Sequence, residues 1–136
     1  MDAALLDTDT LIELLKQKNA VVAQHAAAYL QQHAGFTFSA ISRYEILRGI
    51  KEKNALVQAQ RFALFSQHST VLPITESILD QTAALWVAAR RGGHPCGDAD
   101  LMIAATALES GRVLVTGNTG HFAWIPGLQL TDWRQP

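Results

Sequence analysis

Residues 97–116 read Gly-Asp-Ala-Asp-Leu-Met-Ile-Ala-Ala-Thr-Ala-Leu-Glu-Ser-Gly-Arg-Val-Leu-Val-Thr, the segment with the clearest helix and strand signals. Gly97-Asp98 opens a helical pattern that runs to about Ser110 and is apolar on nearly every side, which indicates a central, buried helix. Gly111 stops this helix, and the β-branched run that follows predicts a strand over residues 112–116. A buried helix joined to an apolar strand is typical of a protein whose sheet is covered by helices.

Strand and helix patterns alternate along the rest of the chain. Thr10 and Glu13 fit a capping box at the start of the first helix, and Pro73 suits an edge strand. Alternation of this kind predicts parallel βαβ units, hence an α/β class, with one domain over residues 1–136. We predict strands at 3–6, 36–38, 70–74, 112–116 and 128–131, and helices over 10–16, 20–33, 39–53, 55–67, 75–91 and 97–110.

The amino-acid composition favours a protein that binds other protein chains and argues against a membrane-spanning one. Charged residues make up 17% of the chain, below the typical value of about a quarter, which favours an oligomer or a protein with a partner. The longest apolar runs are far shorter than the ~20 residues that span a bilayer, and no leader-like segment opens the chain. We therefore expect a cytoplasmic protein without a membrane partner.

Cysteine, histidine and net charge exclude several kinds of site. Cys96 is the single cysteine, so an internal disulfide or a Cys-based zinc cage is excluded and packing is its expected role. The 5 histidines lack the short spacings of a zinc site, so we do not expect a histidine metal site. A net charge of −1 means that any nucleic acid must be held by a local cationic patch. The available cations are Arg43, Arg48, Lys51, Lys53, Arg90 and Arg91.

Acidic and amide side chains follow the predicted strands. Asp7 ends the first strand, Asp98 and Asp100 lie in the first turn of the buried helix, and Asn118 follows the fourth strand. Because sites in open α/β sheets form at the carboxyl ends of strands, we expect these residues to lie close together. Clustered carboxylates repel one another unless a cation neutralises them, and oxygen ligands favour Mg²⁺ or Mn²⁺ over zinc.

Four motifs resemble the VapC-type PIN-domain toxins of bacterial toxin–antitoxin pairs, and they occur in the order of that family. They are Leu5-Leu6-Asp7-Thr8-Asp9, Ser42-Arg43-Tyr44-Glu45-Ile46-Leu47-Arg48-Gly49, Gly97-Asp98-Ala99-Asp100-Leu101-Met102-Ile103-Ala104-Ala105, and Val115-Thr116-Gly117-Asn118 followed by Phe122. Together they span nearly all of the chain. The resemblance implies a PIN-like three-layer α/β/α fold with a short, mostly parallel central sheet.

The resemblance also implies a function and a set of site residues. It implies a Mg²⁺- or Mn²⁺-dependent endoribonuclease that hydrolyses RNA with a metal-activated water, forms a homodimer and is inhibited by a VapB-like antitoxin. Asp7, Glu45 and Asp100 would be the metal ligands, and Asn118 would contact the phosphate or a metal-bound water. This chain has His121 where relatives often carry an acidic residue, which argues against a fourth carboxylate.

Other readings of the same residues stay open. Asp9 is expected to be a turn or cap residue, Asp98 to cap its helix or contact the ion indirectly, and Glu45 could pair only with Arg48. Residues 7–10 also match the Asp-x-Asp-x-Thr opening of haloacid-dehalogenase-like phosphatases, although the lysine and second acidic pair of that class are missing. A non-catalytic PIN-like module that only binds RNA or a protein is the third possibility.

Overall fold

Five short parallel strands form the centre of the computed structural model, which describes residues 2–136. The strands are Ala4–Leu6 (β1), Thr37–Ser39 (β2), Thr70–Leu72 (β3), Val113–Val115 (β4) and Leu130–Thr131 (β5), in the order β3-β2-β1-β4-β5. Every pairing is parallel, so the sheet is wholly and not mostly parallel. The edge position predicted for the strand at residues 70–74 is confirmed, because β3 is an end strand, but β3 ends at Leu72 and does not include Pro73.

Helices cover both faces of this sheet. They are Thr8–Lys16 (α1), Ala20–Leu30 (α2), Ala40–Lys53 (α3), Leu56–Gln67 (α4), Glu76–Gly92 (α5), Asp98–Ser110 (α6) and Thr119–Phe122 (α7). Side chains alternate along β1, so that Leu6 packs with Leu11 and Phe38 in one core while Leu5 packs with Leu101 in the other. The predicted three-layer α/β/α architecture is therefore confirmed.

The buried helix predicted from residues 97–110 is α6. Leu101, Ile103, Ala104 and Ala105 are fully buried in it, and its main helical neighbour is α5. Gly111 ends the helix in the left-handed conformation, with φ 64°, as its position after the apolar pattern predicts. The chain then enters β4 beside β1.

Three local predictions were wrong. Helix α1 begins at Thr8 and not at Thr10, because Asp7 is its N-cap and accepts a hydrogen bond from the Thr8 backbone N–H. The Thr10 hydroxyl donates to the carbonyl of Val115 at 3.1 Å, so it binds the neighbouring strand and forms no capping box. Helix α2 ends at Leu30, three residues before the predicted end. In addition, α7 was not predicted, because its four residues are too few to give a periodic signal.

The strand register brings several chain segments to one edge of the sheet. Leu6 of β1 is in register with Phe38 of β2 and with Val115 of β4. The residues that follow these positions therefore leave the sheet together at its carboxyl edge. Helices α1, α3 and α7 begin there, after β1, β2 and β4. No helix within residues 2–136 is long and apolar enough to cross a membrane.

Candidate active site

Asp7 lies at the centre of this edge and is almost completely buried, with 6% of its surface exposed. Its backbone N–H extends the sheet by donating to Val115 at 2.9 Å. One carboxylate oxygen accepts from the Thr8 N–H at 2.8 Å, and the other accepts from the Thr116 hydroxyl at 2.7 Å. Both oxygens are thus oriented by groups that the ends of β1 and β4 bring together.

The electrostatic environment of Asp7 is unfavourable for its negative charge. Burial, and to a smaller extent the carboxylates of Asp9 and Asp100, raise its pKa to about 7 against the lowering effect of the hydrogen bonds from Thr116 and Thr8. In the absence of a cation, folding therefore favours the protonated form of Asp7.

Glu45 reaches the same edge from the middle of α3. Its Oε1 accepts a hydrogen bond of 2.8 Å from the hydroxyl of Thr8, the residue next to Asp7. The hydroxyls of Ser42 and Thr8 are 2.9 Å apart, and since Thr8 has a single hydroxyl proton, Ser42 is the donor between them. The other oxygen of Glu45 lies 3.9 Å from Arg48, an exposed ion pair that contributes little.

Asp100 lies in the first turn of α6 and contacts α7. Its Oδ2 is 3.1 Å from Nε2 of His121, and both side chains are partly exposed, at 39% and 24%. Cys96 is also close, and burial together with the charges of Asp100 and Asp7 raises the pKa of its thiol to about 11. Spacing along the sequence gave no sign of this contact between the cysteine, the aspartate and the histidine.

The cap roles predicted for Asp9 and Asp98 are wrong, because the N-caps of α1 and α6 are Asp7 and Gly97. The contact of Asn118 with phosphate or a metal-bound water stays a prediction. Asp9 is inside α1, and its Oδ2 accepts from the backbone N–H of Gly117 at 3.1 Å, so it anchors the loop after β4 and is neither a turn residue nor a cap. Asn118 donates its backbone N–H to the Thr116 hydroxyl, while its side chain is exposed and does not cap α7. Asp98 is the exposed first residue of α6, where its charge faces the positive end of the helix.

Sequence reasoning missed the hydroxyl groups of this edge. Thr8, Ser42 and Thr116 link the carboxylates of Asp7 and Glu45 to the strand ends. Thr8 and Thr116 each lie within two residues of a strand end, so the rule that selected Asp7 could also have selected them. The carboxylate oxygens that they orient are the ligand type that Mg²⁺ and Mn²⁺ prefer.

Comparison with known proteins identifies the family. A family model described as "PIN domain" matches residues 4–127. The chain is 29% identical over 132 residues to "Ribonuclease VapC1" of Haemophilus influenzae (strain R2866), covering 96% of this chain and 98% of that protein. It is 28% identical over 131 residues to "tRNA(fMet)-specific endonuclease VapC" of Shigella flexneri, covering 95% and 96%.

A solved structure agrees with these matches over the whole fold. The structure described as DNA-bound VapBC from Salmonella typhimurium contains a chain that is 27% identical to this one. It superposes with a TM-score of 0.81 and covers 98% of this chain and 99% of that chain. From the family match over most of its length, and from the fold and carboxyl-edge acids described above, we conclude that the chain belongs to the PIN domain family.

Proposed function

We propose that this chain is a divalent-metal-dependent endoribonuclease that acts as the toxin of a toxin–antitoxin pair. The observation that carries the proposal is Asp7, a buried carboxylate with Asp9 and Asp100 close enough to raise its pKa. Such an arrangement costs free energy in the folded protein unless a cation neutralises it. The ribonuclease and endonuclease names of relatives that match nearly the full chain support the same reaction class.

Asp7 and Asp100 would bind the ion directly, and Glu45 would bind it directly or through water. The carboxylate donors fit Mg²⁺ or Mn²⁺. When bound, the ion supplies Lewis-acid stabilisation of charge on the phosphate and lowers the pKa of the water that attacks phosphorus. Thr116 and the Thr8 backbone hold the two Asp7 oxygens in fixed directions, which keeps this carboxylate oriented before substrate arrives.

Glu45 is positioned for a second task. Its Oε1 is held by the Thr8 hydroxyl, which leaves Oε2 to accept a hydrogen bond from the attacking water and orient it towards the phosphate. Asn118, exposed at the same edge, would donate from its side-chain amide to a phosphate oxygen. The RNA phosphates on either side of the cleaved bond would be held by the exposed cationic side chains of α3, which are Arg43, Arg48, Lys51 and Lys53.

The two other functional readings receive less support. The Asp9 carboxylate accepts from the Gly117 N–H, so it is engaged in holding a loop and is poorly placed to transfer protons in a phosphatase reaction. A module that only binds RNA would gain nothing from the buried charge of Asp7, which lowers the stability of the metal-free fold.

The direct test is cleavage of RNA by the purified chain with and without divalent ions. We expect endonucleolytic cleavage in Mg²⁺ or Mn²⁺, loss of cleavage to background in excess EDTA, and recovery when Mg²⁺ is restored, because the carboxylates alone cannot stabilise the phosphate charge. Cleavage that persists in EDTA would exclude a metal-dependent reaction. No cleavage of any RNA in either ion would count against nuclease function altogether.

The antitoxin would occupy an apolar groove beside the carboxyl edge. The groove has a volume of about 480 Å³ and lies between α1, α3 and α4, with Glu45 in its wall. Its floor is apolar and cations lie around it, so it suits an amphipathic segment with acidic residues. The lining includes Ile12, Leu15, Ile46, Ile50, Lys16, Lys18, Lys53 and Arg61. A segment seated there would reach the acidic edge and block RNA.

We expect Ile12→Glu to weaken binding of the cognate antitoxin by at least about 30-fold, as loss of a central apolar interface residue does. Ile12 is 39% exposed, so the change leaves the fold intact. Isothermal titration calorimetry measures the affinity, and Leu30→Glu on α2, which is exposed and lies outside the groove, is the matched control. Unchanged affinity of the Ile12 variant would place the antitoxin elsewhere.

A homodimer would bury the exposed apolar face of α5. Leu79, Trp86 and Val87 are 47%, 44% and 38% exposed, at spacings of seven and eight residues that put them on one side of the helix. Light scattering after size exclusion is expected to give a dimer mass for the wild type and for Ile12→Glu, and a monomer mass for Leu79→Glu. A dimer that survives the Leu79 change would exclude this face as the interface.

A further inference from the structure

Three side chains of different chemistry meet at one end of α6. Cys96 comes from the loop before the helix, Asp100 from its first turn and His121 from α7. One ligand atom of each, the thiol sulfur, a carboxylate oxygen and a ring nitrogen, lies within 4.8 Å of the other two. All three side chains are half-buried, so they remain open to a small solute. Asp7 and Glu45 are not members of this close group.

This donor set differs from the carboxylate set of the nuclease centre. A thiolate, an imidazole and a carboxylate are typical ligands of zinc, whereas Mg²⁺ prefers oxygen ligands alone. Donor atoms on one tetrahedral zinc ion stand roughly 3.3–3.8 Å apart, given the usual zinc–ligand distances. The Asp100 and His121 atoms are already 3.1 Å apart, so small side-chain rotations would seat all three on one ion.

We propose that Cys96, Asp100 and His121 form a zinc site that shares Asp100 with the nuclease centre, so that Zn²⁺ acts as an inhibitor. The zinc site stands on its own geometry, while the inhibition rests on the proposed metal-dependent function. As the Zn–S bond forms, the thiol proton of Cys96 leaves to solvent. A fourth position on the ion is left for water.

Inhibition follows from the sharing of one carboxylate. Asp100 has two oxygens, and Oδ2 already faces His121. With zinc bound, the charge of Asp100 is neutralised, which weakens its attraction for Mg²⁺ near Asp7. The zinc ion also places positive charge beside the position that the second cation would occupy, and the two ions repel each other.

The binding half of the proposal is tested on the purified, metal-free full chain with Co²⁺ and Zn²⁺. Co²⁺ is expected to give a thiolate-to-cobalt charge-transfer band in the near ultraviolet, which Zn²⁺ then removes by displacement. Cys96→Ser is expected to abolish the band and weaken Zn²⁺ binding at least tenfold, and His121→Gln to weaken it similarly. Asp98→Asn, exposed in the first turn of α6 and outside the close group, is the matched control and should keep the band and the zinc affinity.

Two results would overturn the zinc site. One is a Co²⁺ complex without the charge-transfer band, and the other is zinc affinity that Cys96→Ser does not change. Circular dichroism of each variant shows whether it is folded, and serine differs from cysteine by a single atom, so the substitution preserves side-chain size.

The inhibitory half has two readouts. Equimolar Zn²⁺ is expected to lower Mg²⁺-dependent RNA cleavage by the wild type at least tenfold and to have little effect on Cys96→Ser. It should also displace Mn²⁺ from the wild type, measured by electron paramagnetic resonance. Zinc that binds without lowering cleavage or displacing Mn²⁺ refutes inhibition. If no RNA is cleaved, the nuclease proposal fails, while the Co²⁺ band and the Mn²⁺ displacement still decide the zinc proposal.

Discussion

Asp7→Asn is expected to lower Mg²⁺-dependent RNA cleavage by about three orders of magnitude while leaving the fold intact. The substitution keeps the shape of the side chain and lets the amide oxygen accept from the Thr8 N–H or from Thr116, so capping of α1 is retained. It removes the negative charge that would hold the ion. Loss of a group that stabilises transition-state charge typically costs 10²–10³-fold, and loss of a metal ligand costs at least as much.

Asp100→Asn should reduce cleavage comparably, and Asp98→Asn provides the matched control. Asp98 lies two residues earlier in the same first turn of α6 and is exposed, so its change alters the same helix end without touching Asp7. Initial rates of cleavage and Mn²⁺ affinity by calorimetry should both fall for the Asp7 and Asp100 variants and stay near wild type for Asp98→Asn. Wild-type cleavage by either of the first two variants would refute the assignment of the site.

The same Asp7→Asn variant should be more stable than the wild type in EDTA above neutral pH. The Asp7 pKa is about 7 in the folded protein against 3.8 for the ordinary side chain, so folding favours the protonated acid. The stability that this group contributes is therefore present below pH 4 and is lost as pH rises through 7. At 1.36 kcal/mol per pKa unit the loss approaches about 4 kcal/mol, which the neutral Asn does not suffer.

Urea unfolding in EDTA at pH 5 and pH 8 measures this difference. The free energy of unfolding of the wild type should fall between these two pH values relative to that of Asp7→Asn. Adding Mg²⁺ at pH 8 should restore wild-type stability and leave the variant unchanged, because only the ionised carboxylate binds the ion. Parallel pH profiles for the two proteins would mean that burial and neighbouring charges do not raise the Asp7 pKa.

Local signals in the sequence predict the class of the fold and the acidic residues of the candidate site. The all-round apolar pattern of α6, the glycine stop at Gly111 and the β-branched strand after it are local signals, carried by residues next to one another. The position of Asp7 at a strand end and of Asp100 in the first turn of α6 follows from the same signals. Parallel sheets bring strand ends to one edge, so their proximity could be inferred without coordinates.

Which side chains contact one another at that edge depends on tertiary packing. Thr10 could have capped α1, but the approach of β4 offered the Val115 carbonyl to its hydroxyl and left capping to Asp7. Thr8 meets Glu45 across 37 residues of sequence, and His121 meets Asp100 across 21. Such contacts depend on how helices pack against the sheet, which periodicity does not encode. For that reason the sequence did not reveal the contact of Thr8 with Glu45 or the cluster with Cys96.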